Sequence, residues 1–172
     1  MKKPSQLYNT IHYKALHSIF SSIALILLCF SANAQENPPR PLQVRTFQNL
    51  SFGAIIQGNS GGTVTIDPQG SRSTTGDVVL TYQSHSYYPA IFEVDAIPGS
   101  IINIDFGSPT VLSMGSWSMS MQINSSVPHS PFINTKSTNT EVRIGGTLTI
   151  GNKLANPAGD YLGFFTITFI QQ

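Results

Sequence analysis

The chain's best candidate for nucleophilic chemistry is Gly58-Asn59-Ser60-Gly61-Gly62, a serine set among glycines as a hydrolase nucleophile often is. A serine hydroxyl needs a general base, and the base needs an acid to orient it; in one common order both precede the serine. Between Gln35 and Asn59 there is neither a histidine nor an aspartate, so the stretch is expected to be a glycine turn. Glu93 and Asp95 are two apart in a strand-like run and point the same way as Ile91, with Asp105 expected beside them on the neighbouring strand. Several carboxylate oxygens would suit Ca²⁺, but such a cluster is ordinarily a solvated face. A glycosidase would need its carboxylates in a cleft. His85 and His129 lie in separate loops without a Cys or His at zinc-ligand spacing. The expectation is a protein that is not an enzyme, with no catalytic residue, metal or cofactor.

His85-Ser86-Tyr87-Tyr88 is the candidate ligand-binding loop, carried by His85, Tyr87 and Tyr88. Exposed tyrosines present flat area to sugars or partner proteins at small entropic cost. The structural alternative is that one tyrosine plugs the end of the fold. Trp117 heads a run whose other apolar members, Met119, Met121 and Ile123, share its face, so it is expected in the core.

The elements that must position these residues are strands. Glu141 to Ile150 alternates Val142, Ile144, Leu148 and Ile150 with polar residues, a period of two that buries one face. Tyr161 to Ile170 places Tyr161, Phe165, Ile167 and Phe169 on one side; it carries apolar residues on both faces and is expected to be a central strand. Upstream, strands are expected at Leu50 to Ile56, Thr63 to Ile66, Asp77 to Tyr82, Ile91 to Ala96, Ile102 to Phe106, Thr110 to Leu112 and Trp117 to Ile123. Asp67-Pro68-Gln69-Gly70 and Ile97-Pro98-Gly99-Ser100 have turn chemistry. The second should join adjacent antiparallel strands. Ser71 to Gly76 and Asn124 to Asn139 are expected to be polar loops. No sustained helical period occurs. The fold class is therefore all-β, an antiparallel sandwich of about eight or nine strands, with an up-and-down barrel as the alternative.

Residues 1–34 have the form of a secretory signal: Lys2, Lys3 and Lys14, an apolar run from Ile19 to Phe30, then Ala32-Asn33-Ala34, with cleavage expected between Ala34 and Gln35. The run is short of the roughly 20 residues that cross a bilayer, so no membrane span is expected after cleavage. Cys29, the single cysteine, lies in this segment, and the large Leu28 before it argues against a lipid anchor. The remaining 138 residues carry six basic and eight acidic side chains, a net charge of −2. That balance offers nucleic acid no basic patch. Residues 35–45, with Pro38, Pro39 and Pro41, are expected to be an extended leader, and residues 46–172 the domain. The expected location is the periplasm, cell surface or exterior.

Phe52-Gly53, Gly61 to Ile66, Gly70, Gly76, Gly145-Gly146-Thr147-Leu148 and Ala158 to Ile167 together resemble the DUF4402 family of uncharacterised exported bacterial proteins. The ending is also similar to those of spore-coat U and fimbrial subunit domains. The resemblance implies an immunoglobulin-like or pilin-like sandwich at the cell surface and brings no catalytic residues. Gly145, Gly146, Gly159, Tyr161 and Gly163 form its structural motif. Gly145 and Gly146 inside a strand suggest a bulge or a close approach, and Tyr161 is expected to lay its ring over that gap, its hydroxyl on a backbone partner. The expected role is a structural or surface protein, a component of a fimbria-like assembly formed by self-association or with other surface proteins. The alternative is a monomeric module that binds carbohydrate or a surface partner through its aromatic loop.

Overall fold

Thr140–Ile150 is the strand around which the chain folds in the computed structural model, which describes residues 41–81 and 85–172. The expected signal segment, the leader through Arg40, and Tyr82 lie outside the described residues. In chain order the strands are β1 (Gln43–Gln48), β2 (Ile55–Ile66), β3 (Arg72–Leu80), β4 (Ala90–Asp95), β5 (Ile101–Asp105), β6 (Thr110–Met114), β7 (Trp117–Val127), β8 (Phe132–Ile133), β9 (Thr140–Ile150) and β10 (Thr168–Gln171). Every pairing is antiparallel.

β9 is central because both its edges are used. One edge pairs with β7, which pairs onward with β6. The other is shared: Thr140 to Ile144 pair with β4 and so with β1, and Gly146 to Ile150 pair with β2 and so with β3. Val142, Ile144, Leu148 and Ile150 are all buried, as their alternation requires. A second sheet, in the order β10-β5-β8, covers this face. Phe92 of β4 meets Phe169 of β10 with ring centroids 5.6 Å apart. Between the sheets lie Val64, Ile66, Val94 and Ile144 from one and Ile102 and Ile104 from the other. Each such side chain contributes about 1.5–3 kcal/mol by leaving water. The fold is thus the expected all-β antiparallel sandwich, with ten strands among the described residues.

Several local expectations are corrected. Gly58 to Gly62 is not a turn but a bulge within β2: Gln57 opposes Val78 and Gly62 opposes Gly76, so residues 58–61 of β2 stand against Asp77 alone on β3. Gly61 at φ 78° and Gly76 at φ 70° take up the distortion. Asp77 accepts the backbone N–H groups of Asn59 (2.6 Å) and Ser60 (3.3 Å), which the bulge leaves without ladder partners. Arg72 to Gly76, expected in a loop, belong to β3; much of that stretch faces solvent, so it carries no alternation. Gln43 to Arg45, expected to end the leader, form half of β1, with Val44 opposite Val94, whereas Leu50 and Phe52 pack on the core outside any strand.

The Ile97–Ser100 turn forms, closed by the Ser100 N–H on the Ile97 carbonyl at 3.1 Å with Gly99 at φ 90°. It does not join paired strands. It passes the chain from β4 in one sheet to β5 in the other. The expected loop from Asn124 begins as strand, since β7 runs to Val127 with Asn124 bulged opposite Gly145-Gly146. Trp117 is not core: it sits at the sandwich end, 45% exposed. The C-terminal stretch is not central either. It runs along β6 and then β5, exchanging backbone hydrogen bonds at Leu162 with Ser113 (2.7 and 3.1 Å) and at Gln172 with Ile101 (2.9 and 3.1 Å). No described strand pairs with its other side.

Candidate functional site

The aromatic loop is held for structural reasons. Tyr87 is half-buried, and the Arg72 guanidinium lies 4.1 Å from its ring centroid. That guanidinium also donates to the carbonyls of Phe52 (2.9 Å), Ala54 (3.2 Å) and Thr81 (2.6 Å), so it ties two backbone segments to β3 under the ring. Tyr88 exchanges backbone hydrogen bonds with Ser51 at 2.9 and 3.0 Å, leaving its side chain and His85 exposed. Of the three candidates, Tyr87 is thus spent on packing and only His85 and Tyr88 face solvent.

The carboxylates do not converge. Glu93 and Asp95 are on β4, and Asp105 is on β5 in the other sheet, where it accepts the Gly107 N–H at 2.9 Å. Glu93 accepts from the Asn139 amide (3.3 Å) and stands across from Arg45 and Glu141 in the ladder. Among the described residues no three His, Cys, Asp or Glu side chains gather as metal ligands. Ser60 lies on the exposed bulge, away from His85 and His129 in sequence and with no hydrogen bond to either among the described residues.

The motif glycines mark close approaches. A Cβ on Gly145 would collide with the Ile66 carbonyl, and one on Gly146 would stand 3.0 Å from the Gln122 carbonyl and from Ile123 Cδ1. Tyr161 is not over that gap. Its hydroxyl donates instead to the Pro157 carbonyl at 3.0 Å, closing the loop in which Gly159 lies on the Met114 sulfur. Gly163 lets the C-terminal stretch approach the Val111 carbonyl on β6.

That approach fixes the face the stretch presents. Its inward side, Tyr161, Phe165, Ile167 and Phe169, packs on the core. Its outward side carries Leu162, 77% exposed, and Phe164, 93% exposed, beside exposed Val111. From Tyr161 to Gln172 there is no charged residue. Among the described residues β1 and β3 also have an unpaired side, but β1 carries Arg45 and a bulge at Phe47, and β3 carries Arg72 and Asp77. Charges and bulges are the usual guards against edge-to-edge pairing. The C-terminal edge has none.

Two buried asparagines escaped sequence reading. Asn134 donates to the carbonyls of Ala96 (2.7 Å) and Lys136 (3.2 Å) and accepts from the Thr140 hydroxyl (2.7 Å). Asn156 donates to the Ser118 carbonyl (2.7 Å) and accepts the Gly151 N–H (2.6 Å). The Asn-Pro pair at 156–157 marks a turn in sequence, but nothing there distinguishes these from the exposed asparagines.

The fold defines an antiparallel β-sandwich with an uncharged C-terminal edge and, among the described residues, no cluster of three metal-ligating side chains. By sequence the chain belongs to DUF4402, a domain of unknown function, whose family pattern matches residues 42–170. No curated protein and no solved structure matches it.

Proposed function

We propose that this chain is a non-enzymatic exported structural or surface protein that self-associates through its C-terminal edge, as a component of an extracellular, fimbria-like assembly. The observation that carries the reading is the stretch from Tyr161 to Gln172, which among the described residues pairs on one side only, lacks charge and turns Leu162 and Phe164 to water. A neighbouring copy that added a strand there would satisfy the open backbone groups and cover both side chains. Export rests on the signal-like residues 1–34. Covering Phe164 alone is worth about 1.5–3 kcal/mol before ordering costs. The rival reading, carbohydrate bound through an aromatic loop, is weakened because Tyr87 is stacked on Arg72 rather than presented.

The test is light scattering on Gln35 to Gln172 beside Phe164→Lys. Residue 164 touches solvent nearly all round, so the variant should fold with unchanged circular dichroism and stay monomeric where the parent forms oligomers. A parent that remains monomeric at high concentration removes self-association, and oligomers that survive Phe164→Lys place the contact elsewhere.

A further inference from the structure

β2 outlasts its neighbour. Past the bulge, Ile55 to Gln57 keep β3 on one side, but β9 has ended at Ile150, so the other side holds no strand among the described residues. The gap is a partly open cavity of about 500 Å³, floored by buried Met119 and Ile150, with Ile55 and Ile56 as one wall and Pro157, Ala158, Gly159 and Tyr161 as the other. That volume is in the usual range for a small-molecule site.

The polar groups around it are almost all engaged in building its walls. The Gln57 amide donates to the Gly151 carbonyl, the Asn156 amide is held at both ends by Ser118 and Gly151, and the Tyr161 hydroxyl is on Pro157. The exception is Lys153, which lines the cavity and whose ammonium has no hydrogen bond or ion pair among the described residues. An apolar cleft with one available cation complements a molecule with an apolar body and one negative head. We infer that this cleft binds a small monoanionic amphiphile, a fatty-acid-type or aryl carboxylate or sulfonate, with its body on Met119 and Ile150 and its head on Lys153. The inference is independent of self-association at the C-terminal edge.

Two dyes of similar body test it, the anionic 1-anilinonaphthalene-8-sulfonate and the uncharged N-phenyl-1-naphthylamine, titrated into the Phe164→Lys monomer so that the exposed edge cannot supply the signal. The sulfonate should bind saturably at one site per chain. Lys153→Glu, at an exposed position, should weaken it by about three- to tenfold, since a single exposed charge contact is modest, and leave the neutral dye unchanged. The loss should shrink as salt is raised. Ala158→Trp, which fills the mouth, should abolish both. Sulfonate binding that is absent, indifferent to Lys153→Glu, or retained in a folded Ala158→Trp variant would overturn the assignment. If Ala158→Trp fails to fold, the contrast between the two dyes in Lys153→Glu decides alone.

Discussion

Arg72 and Asn134 each carry more of the fold than their sequence neighbours suggest, and both do so by holding main-chain carbonyls. The Arg72 fork reaches three of them at once while stacking on Tyr87. A lysine keeps the charge but not the planar, multi-donor geometry. Arg72→Lys should therefore cost about 1–3 kcal/mol in denaturant unfolding, and Tyr87→Ala should destabilise as well. A Tyr87→Ala variant as stable as the parent would return Tyr87 to the list of free binding residues. Asn134 is 1% exposed and joins Ala96, Lys136 and Thr140. Asn134→Ala would leave the Ala96 carbonyl without this donor and the Thr140 hydroxyl without its acceptor, and should cost about 2–4 kcal/mol. Tyr161→Phe removes a single, partly buried hydrogen bond and should cost only about 0.5–1.5 kcal/mol.

Among the elements, β9 was legible, as was β6 from Thr110 to Leu112, whereas the first halves of β1 and β3 were not, and the difference is burial. In β9 one face is wholly dry, so its alternation had to be written into Val142, Ile144, Leu148 and Ile150. Much of the Arg72 to Gly76 half of β3 meets water, and Ser, Thr and Gly there satisfy pairing without any pattern. The β2 bulge was unreadable for another reason: its glycines look like a turn, and only Asp77 arriving from β3 shows how the freed N–H groups are satisfied. The Tyr161 to Ile170 run misled by its outward Leu162 and Phe164, which imitate a strand buried on both faces. The glycines of β9 were correctly suspect, although what presses on Gly145 is the Ile66 carbonyl rather than an aromatic ring. Gly145→Ala should thus break the join between β9 and the end of β2 and lower stability by more than the ordinary preference of strands would, about 2 kcal/mol or more. Gly99→Ala supplies the contrast: it has open space around it, so its cost should come from φ 90° alone.

For the whole molecule, the two sheets bury a shared core but leave outer edges that are not equally protected. β1 and β3 end the large sheet behind charges, whereas the stretch from Tyr161 to Gln172 bridges from β6 to the small sheet with apolar residues on both faces. If a second copy covers that edge, folding and association become linked, and the native state gains stability by mass action. For a dimer, each tenfold rise in protein concentration then adds about 1.4 kcal/mol per dimer, or roughly 0.7 per chain. In a domain of this size that raises Tm by about 2–5 °C. Scanning calorimetry of Gln35 to Gln172 over two decades of concentration should show that rise, and Phe164→Lys should flatten it while leaving the low-concentration Tm unchanged. A parent whose Tm ignores concentration has a complete fold as a monomer, and self-association at that edge is then excluded. A variant whose Tm falls even at the lowest concentration would instead assign Phe164 to the stability of the single chain, against its near-complete exposure.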